Sequence, residues 1–164
     1  MSVSNNILSV NTSRPLKESE KIKVAILTAT WHEAITGVLS EGAESKLIEL
    51  GILSDNILRI AVPGAFELPQ AANMVLKYKN VDAIICLGCV IKGETQHDEF
   101  INHAIANGLT NLSIQSGKPV ILGVLTTLNY QQALDRADGS KGKKGEECAV
   151  AAVNMLIVKQ SLVQ

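Results

Sequence analysis

Three features of the sequence predict an α/β three-layer sandwich around a four-stranded parallel sheet. Four aliphatic, β-branched runs (Lys23 to Ala29, Ile57 to Val62, Ala83 to Ile91, Val120 to Thr126) alternate with segments whose apolar residues recur at helical spacing. The central run is apolar almost throughout, as in a strand covered on both faces. The unusual residues collect just after the runs: Trp31, then Pro63 to Glu67, then Lys92 to His97, then Thr126-Thr127. In open parallel sheets, ligands bind beyond the carboxyl ends of the strands.

The elements follow in order. Lys23 to Ala29 is the first strand. From Glu33 to Leu50 the residues Ile35, Val38, Leu39, Ala43 and Leu47 predict a helix that Gly51 caps. Ile57 to Val62 is the second strand, Pro63-Gly64 turns the chain, and a helix runs from about Phe66 to Tyr78 with Pro69 near its start. Ala83 to Ile91 is the third strand. Gly93 breaks it. Thr95, with Asp98 three residues on, reads as a helix N-cap with a capping-box-like partner, and Phe100, Ile101, Ala104, Ile105 and Leu109 continue the helix. Lys118-Pro119 ends it. After the last strand come a short helix from Asn129 to Ala137, a flexible basic loop (Asp138 to Gly145) and a final helix from Glu146 to Val163. Right-handed crossovers put helices on both faces. Residues 1–21 read as a polar arm, with Ile7, Leu8 and Val10 able to add a strand to a neighbouring sheet edge. Residues 22–164 read as one domain.

Composition narrows the function. A chain of 164 residues buries enough surface to fold without staples. Its net charge of −1 supplies no field for nucleic acid or an acidic membrane. Aromatics are 3% of the chain, too few for a base-stacking platform. Three cysteines without framework spacing fit a reducing compartment. No signal peptide or membrane span is read, which points to the cytoplasm. The apolar content of 46% predicts self-association.

The chemistry concentrates in Asp82 to Phe100. A strand there runs into a polar turn and a helix start whose free N–H groups favour an anion. His97 lies in the first turn of that helix. A phosphate site beside an imidazole predicts an enzyme acting on a small phosphate ester. Rival readings of the stretch fail on physical grounds. Gly88 to Thr95 approaches the P-loop pattern, but Glu94 stands where the phosphate-holding lysine belongs. Cys86 and Cys89 form a C-x-x-C inside a strand, where residues three apart point to opposite faces, so they read as core thiols. His97 and His103, six apart, share no helical face for zinc.

The segments PGAFELP (63–69), GCVIKGETQHDEF (88–100), GVLTTLNYQQALDRA (123–137) and KGKKGEECAVAA (141–152) resemble the 6,7-dimethyl-8-ribityllumazine synthase family, in register from about Lys23 to Lys159. The resemblance implies a flavodoxin-like fold. It implies condensation of 5-amino-6-(D-ribitylamino)uracil with 3,4-dihydroxy-2-butanone 4-phosphate, the penultimate step of riboflavin biosynthesis, with neither metal nor cofactor. The alternative is a flavodoxin-like module that binds a flavin or phospholigand without chemistry.

Residue by residue, the resemblance implies Trp31 as the aromatic that stacks on the pyrimidine. Ala65, Phe66 and Glu67 match the segment holding the ribityl chain. Cys89, Val90 and Ile91 match the strand end whose backbone reads the pyrimidine edge. Glu94 and Thr95 match the phosphate turn, His97 the general acid/base, Arg136 the phosphate clamp and Lys144 a lysine near the phosphate. Leu122 departs from the pattern. It replaces an aromatic at the end of the fourth strand that a neighbouring subunit contributes to the site. The family forms pentamers, in some members a 60-subunit icosahedral shell, and the short link from Arg136 to Lys144 leaves the shell permitted. Riboflavin synthase is a further implied partner.

Overall fold

The computed structural model describes Ser9, residues 15–139 and residues 141–163. The expected strand at Ile7, Leu8 and Val10 lies outside the described residues. The strands are β1 (Val24–Ala29), β2 (Ile57–Val62), β3 (Ala83–Ile91) and β4 (Val120–Thr127). The helices are α1 (Glu33–Glu49), α2 (Leu68–Tyr78), α3 (His97–Ser116), α4 (Tyr130–Ala137) and α5 (Lys144–Leu162). All strand pairs are parallel and the order is β2-β1-β3-β4. This is the helix-covered parallel sheet expected from the alternation of strands and helices, and the flavodoxin-like fold that the resemblance implies.

Alternating side chains divide the core. Val24, Ile26, Ile85 and Leu87 face the layer of α1, α4 and α5. Ala25, Leu27, Ile84 and Cys86 face the layer of α2 and α3. The central strand β3 is buried from Ala83 to Cys89, as its unbroken apolar run requires. Cys86 and Cys89 fall in opposite layers, the consequence of a three-residue offset on a strand.

Element ends differ from the sequence reading where tertiary contacts decide. The turn after β2 opens with a 3-10 segment, Ala65–Glu67, before α2 begins. The cap expected at Thr95 is absent: α3 has Gln96 at its N-cap position, with no side-chain capping bond. Asp98 is the only half-buried residue of a stretch, 92–100, that is otherwise exposed. The expected basic loop is also shorter. Lys144 is the first residue of α5, and the turn before it closes with a Gly139–Gly142 bridge and a bond from Lys141 N to Asp135 O of 3.1 Å.

Glycine permits the closest helix contact. A Cβ added at Gly145 would lie 2.1 Å from the Leu39 carbonyl oxygen, so the start of α5 and the middle of α1 touch backbone to backbone. Gly145→Ala must push the helices apart. It is expected to lower stability by about 1–3 kcal/mol or more, read as an earlier denaturant midpoint. An unchanged midpoint would contradict this packing.

Candidate active site

Strand order fixes where the site can be. The chain leaves β1 through α1 toward β2 and later returns to β3 on the other side of β1. The switch point is the gap between the carboxyl ends of β1 and β3, the place where open sheets of this kind bind ligands. The neighbouring ends are tied off. Thr30 N donates to Val62 O (2.8 Å) and Thr30 Oγ1 to Pro63 O (3.0 Å), which joins β1 to β2. Lys92 N donates to Thr127 O (2.8 Å), which joins β3 to β4.

On the β1–β2 side stands Trp31, 71% exposed although it is the chain's one tryptophan. A large aromatic exposed at a strand end is available for contact with a ligand or partner. Gly64 lies between it and Glu67: a Cβ at Gly64 would be 3.0 Å from Glu67 Oε2 and 3.9 Å from the Trp31 ring. The indole, the glycine turn and the carboxylate are thus gathered into one wall. Ala65 is buried and Phe66 is 58% exposed, so the 3-10 segment presents the Phe66 ring outward. Gly88 of β3 lies under this segment, where a Cβ would come within 3.1 Å of Ala65 Cβ.

On the β3 side, Cys89 is buried and Val90 and Ile91 are half-buried at the strand end. Glu94, Thr95 and His97 are exposed on the turn and the first residue of α3. The N-terminal N–H groups of α3 and its 20-residue dipole face this turn.

A third group stands at the junction of α4 and α5. Arg136 Nη1 donates to Lys141 O at 2.8 Å. Glu147 Oε2 lies 3.6 Å from Arg136 Nη2 and 3.6 Å from Lys144 Nζ. One carboxylate therefore holds both predicted phosphate ligands together. Glu147 escaped the sequence reading, yet its place three residues after Lys144 in the first turn of a helix is a visible pairing signal. Among the described residues, neither Arg136 nor Lys144 pairs with the Thr95–His97 turn.

His32 is a second residue that sequence reasoning missed. It follows Trp31 in the left-handed region (φ 61°, ψ 47°). Its carbonyl starts α1 by accepting from Ile35 N and Thr36 N, and its ring lies 6.4 Å from that of Tyr130. A backbone conformation of this kind leaves no mark in a single sequence.

Leu122 belongs elsewhere. It is the third residue of β4, paired with Cys86 near the start of the sheet, and not at the strand's end. It is 44% exposed on an edge strand, so within one chain it is remote from the switch point. Among the described residues no three His, Cys, Asp or Glu side chains gather as a metal site.

The three thiols are free and buried. Burial pushes the Cys89 and Cys148 thiols each up to about 11 and raises Cys86 further. Thiolate, the reactive form, is therefore scarce near neutral pH. The folded protein is expected to resist alkylation at pH 7, and to react at all three cysteines once unfolded. Rapid native labelling of Cys89 would show that the end of β3 is open.

The chain is similar to proteins of one enzyme family. The family model for 6,7-dimethyl-8-ribityllumazine synthase matches residues 21–160. A protein of that name from Cytophaga hutchinsonii is 51% identical over 131 residues, 80% of this chain and 82% of the relative. One from Flavobacterium johnsoniae is 38% identical over 160 residues, 98% of this chain and 84% of the relative. One from Bacteroides fragilis is 42% identical over 135 residues, 82% of this chain and 94% of the relative.

Proposed function

The chain belongs to the 6,7-dimethyl-8-ribityllumazine synthase family, and we propose how the groups around its switch point carry that reaction. The enzyme is a transferase of riboflavin biosynthesis. It condenses 5-amino-6-(D-ribitylamino)uracil with 3,4-dihydroxy-2-butanone 4-phosphate and releases phosphate and water. The observation that carries our assignment of the site is its division into an aromatic–carboxylate wall at Trp31, Gly64 and Glu67 and a cationic corner at Arg136 and Lys144. One wall suits a flat ring with a polyol tail, and the other suits a phosphate ester.

In this reading the pyrimidine stacks on Trp31, and its edge meets the backbone of Cys89, Val90 and Ile91. Glu67 accepts from ribityl hydroxyls, beside Ala65 and Phe66. The phosphate sits between the turn at Glu94 and Thr95, the N–H groups of α3, and the guanidinium of Arg136, with Lys144 behind it. To engage the phosphate, Arg136 and Lys144 exchange part of their attraction to Glu147 for the ligand.

The 5-amino group attacks the ketone, and loss of water gives an imine. Phosphate then departs with its bonding electrons as a proton leaves carbon, and the resulting enol tautomerises. The 6-ribitylamino nitrogen closes the ring with loss of a second water. His97 moves the protons, a task for a side chain that changes charge near neutral pH. Holding two reactants in one site supplies much of the rate, so loss of His97 slows the chemistry without abolishing it.

Residues 22–164 form the catalytic domain. The enzyme works as a homo-oligomer, a pentamer in which a neighbour's Leu122 supplies an apolar wall. The exposed edge position of Leu122 supports this. The link from Arg136 to Lys144 carries no insertion, so a 60-subunit shell stays permitted, and riboflavin synthase is a candidate partner. The free thiols fit the reducing cytoplasm.

The direct test mixes purified protein with both substrates and follows lumazine absorbance and released phosphate. Release no faster than the uncatalysed background would favour a flavodoxin-like carrier instead. Arg136→Ala is expected to weaken use of the phosphate substrate by about 1.5–3 kcal/mol and to leave the KM of the pyrimidine nearly unchanged. Equal loss for both substrates would make Arg136 structural. His97→Ala is expected to lower kcat by roughly 100-fold or more with an unchanged melting temperature. Wild-type turnover across the pH range would remove its proton-transfer role.

A further inference from the structure

The start of α3 carries His97, yet little fixes it. No side chain caps it, and although Glu99 N donates to Gln96 O at 3.1 Å, the bond from Phe100 N to the same oxygen is long at 3.5 Å. Along 92–100 every residue except Asp98 is exposed. Asp98 is therefore the one side chain of this stretch that turns toward the body of the protein.

Asp98 begins a stripe. Asp98, Asn102, Ile105 and Leu109 recur at steps of four, three and four along α3, one face of a helix. Ile105 and Leu109 pack with Ala65 and Leu68 in the core layer of α2 and α3. The same face is continued toward His97 by two polar side chains. Oδ1 of Asp98 and Oδ1 of Asn102 are both buried, and neither accepts a hydrogen bond among the described residues. A buried acceptor without a donor is costly. Both atoms are acceptors, so as placed they cannot serve each other. A half-turn of the Asn102 amide about its last bond exchanges oxygen for nitrogen within the same envelope. It turns a donor inward, one helical turn from the Asp98 carboxylate, the spacing at which Asn–Asp pairs bond.

We propose that Asn102 Nδ2 donates to Asp98 Oδ1, and that this buried clasp seats the first turn of α3 and so positions His97. The N–H groups of the helix start favour an acidic side chain at this position. Asp98 and Asn102 are positioning residues; neither touches substrate. The catalytic part of the proposal rests on the reading of His97 as the proton-transfer group. The structural part does not.

The test uses the full-length protein with Asn102→Leu, which leaves the carboxylate unpaired, and the exchanged double variant Asp98→Asn with Asn102→Asp, which rebuilds an Asn–Asp pair. Amide hydrogen exchange at Glu99 to Ile101 is expected to quicken about tenfold in N102L and to return toward wild type in the exchanged variant. kcat is expected to fall about tenfold in N102L with the pyrimidine KM little changed, and to recover in the same variant. Wild-type exchange and kcat in N102L would overturn the clasp, as would a folded exchanged variant no better than N102L. Exchange that follows the clasp while kcat does not would keep the clasp and remove the link to His97.

Discussion

The switch point between β1 and β3 is the constraint on which the rest of the molecule depends. Because the two strands send their chains to opposite sides, no loop bridges the gap between their carboxyl ends. In the proposed site, the reacting groups come from the elements around that gap. Trp31 and His32 leave β1, the Gly64 turn leaves β2, the His97 helix leaves β3, and the α4–α5 corner brings Arg136 and Lys144. The sheet itself needs only aliphatic runs of about the right length. Its order, β2-β1-β3-β4, turns four ordinary connections into one site.

Electrostatics is concentrated in one corner of this frame. The first turn of α5 holds adjacent glutamates with different duties. Glu146 lies 3.1 Å from Lys143 and 3.8 Å from Lys46 of α1, which ties the α4–α5 corner to the scaffold. Glu147 faces Arg136 and Lys144. These partly solvated pairs are worth little individually. Their value is geometric, since Gly145 has already brought the two helices into backbone contact and the glutamates act across that fixed distance.

Most of the fold was legible because the strand runs are nearly pure aliphatic sequence and the helix faces repeat cleanly. Cys86 and Cys89 show how far periodicity reaches: a three-residue offset on a strand assigned them to opposite layers, and they lie there. The ends of elements were harder. Thr95 and Asp98 satisfy the local pattern of a capping box, but burial of Asp98 along the inner stripe of α3 wins over a local bond. Lys144 reads as loop because glycines and lysines surround it, although packing of Gly145 against Leu39 fixes it as the start of a helix. For the proposed site, motif matching supplied Trp31, Glu67, His97 and Arg136 as expectations. It had no access to the left-handed turn at His32, to the carboxylate of Glu147, or to the position of Leu122 near the beginning of its strand.

We propose that the β1–β3 switch point holds the pyrimidine against Trp31 and the phosphate between the start of α3 and Arg136. An experimental structure with the lumazine product and inorganic phosphate bound tests it most directly. The account predicts the ring system over the indole, the ribityl chain along Ala65–Glu67, and phosphate bonded to the guanidinium of Arg136 and the N–H groups of α3. Phosphate bound away from both Arg136 and the start of α3, or a ring system not in contact with Trp31, would contradict it.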